Sequence, residues 1–418
     1  MRLARRRKAM IAVTGVLALL LAACGSSSAA DVTVTSFVTA APESSPASSA
    51  ATTSPESTSA SAAPSPTATQ SGDGTVAEGV AMPSGFVPTK LRPGEKPPQF
   101  IIVSFDGVGW HEKWQHWFDV GKQVPFHFTG FLSGTYMLSD ETRNAYQGPD
   151  HPPGKSDIGW NLATDLTTEI QDLNTAYAEG NEIGTHFNGH FCDGGSEPSG
   201  GVWSRDQWNW ELDQFYSLID NVKANNPGVP MADLAFDPKQ EVRGERTPCL
   251  EGKAEELFPA LVDHGITYDS SFTKHGISWP KQSQQYKIWQ FGMAEFPIHG
   301  TDKFLITMDY NFYFTQRKGS SKGVTPAESA ADSEQVYQTY NDMFNATWNG
   351  NRAPLVLGNH FNAWNNSAYE NALTKFVLEK CGQEGVECVP FRDVLAWMSV
   401  QDPDRLAQLQ AQAPEVGG

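Results

Sequence analysis

A long tract with few large apolar side chains limits how much of this 418-residue chain can fold. From Gly25 to about Pro98 the sequence consists mainly of Ser, Thr, Ala and Pro. Such a segment buries too little surface to offset the entropy lost on ordering, so we expect a disordered, fairly extended linker over residues 24–98. The folded part is then confined to about 300 residues, 99–400, which suffice for one large core. Residues 401–418 remain as a C-terminal tail.

The first 23 residues have the features of an export signal. A basic leader at positions 2–8 precedes an apolar run from Ile11 to Ala23, which is too short to span a bilayer as a mature helix. The run ends Leu-Ala-Ala before Cys24, an order that resembles the lipobox of bacterial lipoproteins. We therefore expect a signal peptide over 1–23 and a lipidated Cys24 that anchors the chain at the extracytoplasmic face of the cell membrane. A plain signal peptide that happens to contain a cysteine is the alternative.

The charge of the chain argues against one class of partner. The formal net charge is −18, which would repel phosphate backbones. The sequence also has no basic stripe with interleaved aromatic residues. We therefore expect no nucleic-acid partner, and we expect a monomer.

The pattern of apolar residues over 99–400 predicts an α/β domain. Short apolar runs at 100–105, 126–129 and 355–357 have the length of buried strands. Between them, residues 165–179 and 206–221 place apolar side chains on one stripe and polar ones opposite, as helices over a sheet do.

Four cysteines remain outside the lipobox: Cys192, Cys249, Cys381 and Cys388. An exported domain lies where disulfides persist, and four cysteines allow three connectivities. Cys381 and Cys388 are close enough to close a short loop, and a bridge between Cys192 and Cys249 would connect two candidate site loops. A zinc-binding cluster is the competing interpretation, but neither spacing is Cys-x2-Cys. We favour structural disulfides.

Two histidines four residues apart are the strongest candidates for metal ligands. His186 and His190 follow an apolar, glycine-containing segment that could end a strand. Imidazole is the commonest metal-binding side chain, and a pair at this spacing can reach one ion from a helical turn or a tight loop. The same spacing also arises on ordinary solvated helices.

Asp106 and Arg246 are two further candidate site residues. Asp106 follows the strand at 100–105, and a carboxylate at that end of a buried parallel strand points to the face where α/β barrels carry their chemistry. A turn Asp before Gly is the alternative. Arg246, two residues before a proline, could hold a carboxylate bidentately and lower its pKa. A surface arginine in a loop is the alternative.

Asp269 and His360 are also candidate site residues, each at the end of an apolar run. Asp269 precedes two serines and could orient a histidine, or cap a turn. His360 follows the strand at 355–357, where an imidazole could act as a general acid near neutral pH, or serve only the structure.

Together these motifs resemble those of the polysaccharide deacetylases of carbohydrate esterase family four, in the same order and over nearly the whole domain. Each motif has a counterpart: Ser-Phe-Asp-Gly at 104–107 for Thr-Phe-Asp-Asp-Gly, His-x3-His at 186–190, Arg-x-Pro at 246–248, Asp-x-Ser at 269–271, and a late Leu-x-His, here with one extra residue, at 357–360.

The resemblance implies a distorted (β/α) barrel of about seven strands. It implies that the chain removes acetyl groups from an extracellular or cell-wall polysaccharide with a divalent metal, commonly zinc. It also implies the site roles: Asp106 as general base, Arg246 holding it, His186 and His190 as metal ligands, His360 as general acid, and Asp269 tuning His360.

The sequence departs from the family pattern at Gly107, where the family has a second aspartate that binds the metal. Three explanations are open. Asp106 could bind the metal itself, with another group as base. A nearby residue could supply the missing ligand, the candidates being His111, Glu112, Asp150, His151 and Asp193. Otherwise the site is weak or inactive, and the chain is a non-catalytic glycan-binding lipoprotein.

Overall fold

The computed structural model describes residues 76–417, and its strands form one large sheet and one small sheet. The strands are β1 (Gln99–Val108), β2 (Thr129–Leu132), β3 (Glu182–Thr185), β4 (Gly244–Glu245), β5 (Tyr268–Asp269), β6 (Thr273–His275), β7 (Lys281–Gln282), β8 (Trp289–Gln290), β9 (Met293–Pro297), β10 (Phe304–Ile306), β11 (Leu355–His360) and β12 (Val386–Cys388).

The helices cover the sheets and fill the connections between strands. They are α1 (His111–Gly121), α2 (Leu166–Ala178), α3 (Arg205–Asp220), α4 (Val222–Asn225), α5 (Pro238–Glu241), α6 (Ala254–Asp263), α7 (Asp309–Arg317), α8 (Pro326–Asn349), α9 (Trp364–Lys380), α10 (Phe391–Val400) and α11 (Pro403–Gln410). Among residues 76–417, no helix combines the length and apolar character needed to cross a bilayer.

The large sheet is a curled half-barrel with the order β11-β1-β2-β3-β4-β5-β8-β7, and β12 pairs with the start of β1. Seven strands from β11 to β8 run parallel, and β7 is antiparallel to β8. The predicted fold class, an α/β distorted barrel of about seven strands, is confirmed. Because parallel strands end at the same edge, the residues that follow them meet there.

The central strands form because their sequence is apolar on both faces. Residues 100–103 of β1 are fully buried, as expected for a parallel strand covered by helices on both sides. The predicted strands at 100–105 and 355–357 and the predicted helices at 165–179 and 206–221 are confirmed, with ends shifted by one to three residues. The predicted strand at 126–129 is displaced, since the hydrogen-bonded strand is Thr129–Leu132.

The predicted linker extends too far toward the domain. Met82 is buried, Phe86 packs edge-on against Phe100, and the backbone N–H of Leu91 donates to Gln401 at 2.9 Å. The assignment of residues 76–98 to a disordered linker is therefore wrong, because Met82, Phe86 and Leu91 pack on the core. The rest of the linker, the signal peptide and the anchor cysteine lie outside the described residues.

The predicted tail also packs on the domain. Residues 403–410 form α11, in which Leu409 is buried. Farther along, Glu415 and Ile277 exchange backbone hydrogen bonds at 2.8 and 2.9 Å. The C-terminal tail predicted at residues 401–418 is therefore held against the core by one apolar helix face and one backbone pair.

Candidate active site

A cavity of about 510 Å³ opens at the carboxyl-terminal edge of the large sheet. Asp106, His186, His190 and His360 all line it. The remaining lining is mostly apolar or aromatic: Ile158, Cys249, Leu250, Ile306, Met308, Tyr310, Asn311 and Trp364. The cavity therefore has a cluster of three imidazoles and one carboxylate set against apolar walls.

Asp106 is held as an ion by a buried arginine. Arg246 follows β4, and its Nη1 donates to Asp106 Oδ1 at 2.7 Å, with both side chains almost fully buried. The guanidinium also donates to the carbonyl oxygen of Ser270 at 3.0 Å and to its hydroxyl at 2.9 Å, which fixes its orientation. Burial alone would raise the pKa of Asp106, but Arg246 together with His186 and His360 outweighs burial and lowers it. The predicted pairing of Arg246 with Asp106 is present.

His186 and His190 come together through a loop rather than a helix. His186 follows β3, and its backbone N–H donates to Leu132 at 2.8 Å. Phe187 and His190 both have positive φ, 55° and 57°, so the chain turns sharply between the two imidazoles. The ring centroids lie 5.2 Å apart. The spacing of four residues therefore brings both rings to one wall of the cavity.

Both imidazoles are neutral in this environment. Burial lowers the pKa of His186 to about 3, although Asp106 opposes it, and burial also lowers the pKa of His190. His186 Nδ1 lies 2.7 Å from the carbonyl oxygen of Arg246, so that nitrogen carries the proton and donates. The Nε2 lone pair of His186 is then free to bind a cation, the arrangement usual for metal-bound histidine.

His360 is oriented by an aspartate that the sequence motifs did not identify. Its Nδ1 lies 2.7 Å from Asp309 Oδ1, and its backbone N–H donates to Asp309 Oδ2 at 2.8 Å. Asn362 also donates to Asp309 Oδ2 at 2.7 Å, so the carboxylate is fixed on both oxygens. Burial lowers the pKa of His360, but Asp309 and then Asp106 outweigh it and raise the pKa above the ordinary value.

Asp269 does not tune His360, and that prediction is wrong. Asp269 lies in β5, fully buried, and its Oδ1 accepts from the backbone N–H of Ser271 at 2.9 Å. Its neighbour in the sheet is Glu245, whose register places the two carboxyl groups side by side. Burial raises the pKa of both carboxyl groups, which favours their protonated forms.

None of the five residues considered as a replacement for the missing ligand lines the cavity. His111 pairs with Asp172 at 2.8 Å, and His151 stacks on Phe191 with ring centroids 3.7 Å apart. Asp150 accepts from Gln207. Glu112 and Asp193 are likewise absent from the cavity wall. Asp106 is therefore the carboxylate that the described part of the chain presents to the two imidazoles.

The cysteines form structural disulfides, as expected, and the structure selects one of the three possible connectivities. Cys192 bonds Cys249 and Cys381 bonds Cys388. The first connects the loop after His190 to the loop after Arg246, and Cys249 lines the cavity. His190 lies close to both sulfur atoms of this disulfide, but bonded sulfurs are not thiolate ligands, so this group is not a metal centre.

A signal for Asp309 exists in the sequence. The apolar residues of β10 run into Thr307, Met308 and Asp309, the same order of apolar strand and strand-end carboxylate that identifies Asp106. Tyr310 and Asn311 follow at the start of α7 and also line the cavity. The three-residue length of β10 makes the pattern easy to miss.

No family model and no curated protein matches this chain. It is similar to solved structures of a family 4 carbohydrate esterase from Streptomyces lividans in complex with acetate (12% identity, TM-score 0.34, 71% of this chain and 100% of that chain), a chitin deacetylase from Colletotrichum lindemuthianum (10%, 0.36, 77% and 92%) and a CE4 family pseudoenzyme from Bacillus anthracis (11%, 0.36, 77% and 72%). At these identities and TM-scores the likeness gives no information about the activity of this chain.

Proposed function

We propose that this chain is a metal-dependent hydrolase that removes acetyl groups from a polysaccharide. The observation that carries the proposal is the pairing, at one cavity, of a carboxylate whose pKa is lowered with an imidazole whose pKa is raised. Strand register places Asp106 directly beside His360, and the neutral His186 and His190 share the cavity with them. A base, an acid and a pair of cation ligands within one small volume are the components that metal-assisted hydrolysis requires.

The residues present fit a divalent cation, for which we expect zinc. His186 and His190 would hold it, because both are neutral and His186 Nδ1 already donates to a carbonyl. Arg246 contacts Asp106 through Oδ1, so Oδ2 is left to accept a hydrogen bond from water at the cation. Two imidazoles supply two of the three protein ligands usual for catalytic zinc, and Gly107 stands where the polysaccharide deacetylases have the third.

A cation bound there would polarise the acetyl carbonyl and favour deprotonation of an attacking water. Asp106 accepts the proton of that water, and Arg246 keeps the carboxylate ionised and fixed in position. His360 gives a proton to the departing amine or hydroxyl of the sugar. Asp309 keeps the imidazole turned toward the cavity and raises its pKa, which favours the protonated form that the leaving group needs.

An acetylated glycan is the substrate that the cavity walls favour. Ile306 and Met308 offer an apolar surface for an acetyl methyl group. Trp364 lies 5.3 Å from His360 between ring centroids and stacks on Tyr313, which holds its indole in place beside the acid. Such a ring presents a flat apolar face on which a sugar can stack.

The location we propose follows from the N-terminal sequence. An export signal, a lipidated Cys24 and an extended linker would place the domain outside the cytoplasmic membrane, beside cell-wall polysaccharide. We propose that the protein works there as a lipid-anchored monomer.

A non-catalytic glycan-binding lipoprotein is the second candidate, and Gly107 is the observation that favours it. The buried pairs Asp106–Arg246 and His360–Asp309 favour the enzyme, because binding alone requires neither an ionised carboxylate nor a raised imidazole pKa. Metal content separates the two candidates, since the binding protein has no use for a cation.

Acetate release from acetylated chito-oligosaccharides tests the proposal. The protein is dialysed against zinc or cobalt and compared with His186→Ala and with His264→Ala, a histidine outside the cavity that contacts Asp213 at 3.2 Å. We expect metal-dependent acetate release that is lost in His186→Ala and retained in His264→Ala. Absence of acetate release with either metal, or equal release by all three proteins, would overturn the assignment.

A further inference from the structure

One face of the small sheet has an exposed aromatic pair and adjoins the catalytic cavity. The sheet has the order β10-β9-β6. Phe304 on β10 is 47% exposed, and the His275 side chain on β6 is 61% exposed. Their ring centroids lie 5.1 Å apart with an interplanar angle of 33°. Neither residue belongs to the site described above.

The register of the small sheet shows that this face is continuous. Phe304 pairs with Pro297, Ile306 pairs with Glu295, and Glu295 pairs with His275. Residues two apart on a strand, and residues directly opposite each other on paired strands, share one face. All five side chains therefore lie on the same side of the sheet.

The same face reaches from the catalytic cavity to a second cavity. Ile306 lines the catalytic cavity, and Phe304 lies two residues away, about 7 Å along the strand. Phe304 and Pro297 line a second cavity of about 680 Å³ at the β9–β10 turn. Polar groups surround this second cavity, among them His299 and Asp342, which contact each other at 2.7 Å.

We propose that this face binds the polysaccharide chain beyond the sugar that enters the catalytic cavity, with Phe304 and His275 stacking against a sugar ring. The inference rests on the proposed deacetylase function and adds which surface holds the rest of the polysaccharide chain. Exposed ring faces with carboxylate and imidazole groups nearby match the apolar face and hydroxyl rim of a pyranose.

Continuity with the catalytic cavity identifies the occupant. A glycan that presents its acetyl group at His360 and leaves over Ile306 meets Phe304 next, since both side chains lie on one face of β10. Glu295, 3.8 Å from His275 Nδ1, lies between the two aromatic positions and offers carboxylate oxygens to sugar hydroxyls. The second cavity would receive the following sugar.

The test compares short and long N-acetylglucosamine oligosaccharides. Acetate release is measured with the disaccharide and the hexasaccharide for the full protein, for Phe304→Ala and His275→Ala, and for the control Trp210→Ala. Trp210 on α3 is also 47% exposed, lies outside both cavities, and donates to Gln147. Hexasaccharide binding is measured by calorimetry with each of these changes added to an Asp106→Asn protein, so that substrate is not consumed.

We expect kcat/KM for the hexasaccharide to fall about tenfold in Phe304→Ala, as loss of one buried aromatic contact would produce, with the disaccharide unchanged. Binding of the hexasaccharide should weaken by a similar factor, His275→Ala should show a smaller loss in the same direction, and Trp210→Ala should match the parent. If Phe304→Ala binds the hexasaccharide more weakly but none of the proteins releases acetate, the binding face is supported and the deacetylase function is overturned. Equal hexasaccharide binding by all proteins, or no binding at all, would overturn the binding face.

Discussion

Asp106 and Asp269 occupy similar positions, but their pKa values are shifted in opposite directions. Each lies at the end of a parallel strand in the same sheet, and each is almost fully buried. Asp106 faces the guanidinium of Arg246, which helps lower its pKa, whereas Asp269 faces the carboxyl group of Glu245 and burial raises its pKa. Burial is common to both, so the neighbouring side chain decides which carboxylate can act as a base.

The comparison extends to stability. The folded pKa of Asp106 is lowered, so its contribution to the free energy of unfolding is present above the unfolded pKa of about 4 and is lost as pH falls through the folded value. The folded pKa values of Asp269 and Glu245 are raised, so their contribution is complete below the unfolded values and declines as pH rises through the folded ones.

The largest effect should follow removal of the base. Asp106→Asn keeps the shape of the side chain but cannot accept a proton, so we expect kcat for acetate release to fall about 10³-fold. Asp269→Asn, measured in parallel, should remain within about threefold of the parent, since its carboxyl group contacts no residue of the cavity wall. Similar losses in the two variants would show that both carboxylates serve the reaction.

The next effect concerns the buried ion pair. Arg246→Met leaves Asp106 buried without a partner, and we expect the free energy of unfolding in urea to fall by about 3–5 kcal/mol at neutral pH. The control Arg243→Met removes an arginine at the other end of β4 that contacts backbone carbonyls, and it should cost about 1 kcal/mol. Protonation of Asp106 at low pH should reduce the difference in free energy of unfolding between Arg246→Met and the parent. A difference that does not change with pH would contradict the pairing.

A smaller effect on rate should follow removal of the residue that orients the acid. Asp309→Asn removes the carboxylate that raises the pKa of His360, and we expect turnover to fall about 10–100-fold. His360 must be protonated to donate, so activity is lost as pH rises through its pKa. Without Asp309 that pKa is lower, and the alkaline limb of the kcat profile should move to lower pH. If the alkaline limb does not move, a group other than His360 determines it.

Gly107→Asp tests whether the cation lacks a ligand. A Cβ at Gly107 would lie 3.7 Å from Tyr136 Oη and 3.8 Å from Ser133 Oγ, so the side chain has room, although the φ of +61° costs some stability. We expect zinc to bind at least about tenfold more tightly, the lower range of what a supporting residue contributes. Gly107→Asn tolerates positive φ similarly but has no charge, so it is the matched control. Equal zinc affinity in the two variants would show that no ligand is missing at position 107.

The smallest effect should be on the carboxyl pair itself. In Asp269→Asn the amide can donate to Glu245 as a protonated carboxyl does, so we expect the free energy of unfolding near pH 5 to change by less than about 1 kcal/mol. Because the amide cannot ionise, the variant should lose less stability than the parent between pH 5 and pH 8. A steeper loss in the variant would contradict the raised pKa values of the pair.

The strand-end site residues were predictable because the geometry of a parallel sheet determines where they lie. Asp106 and His360 each follow an apolar run, and parallel pairing brings such residues to one edge. The partner of His360 was not predictable from the same rule. Asp309 lies 51 residues earlier in the chain, after a three-residue strand of the small sheet, and only folding places it beside the imidazole.

Composition placed the start of the folded domain too late in the chain. A tract rich in Ser, Thr, Ala and Pro reads as one linker to Pro98, yet Met82 and Phe86 lie in the described region and pack on the core. Average composition conceals two apolar side chains whose burial depends on surfaces formed by distant residues, such as Trp397, which packs on Phe100. The local sequence therefore does not reveal that these two side chains are buried.

Zinc stoichiometry of the purified protein and its histidine variants tests most directly whether His186 and His190 form one cation site. After dialysis against zinc, elemental analysis should find about one ion per chain in the parent and in His360→Ala, which removes the acid without removing a ligand. His186→Ala and His190→Ala should each lose the ion. Zinc-free parent protein, or full occupancy in either ligand variant, would contradict a shared cation site at this cavity.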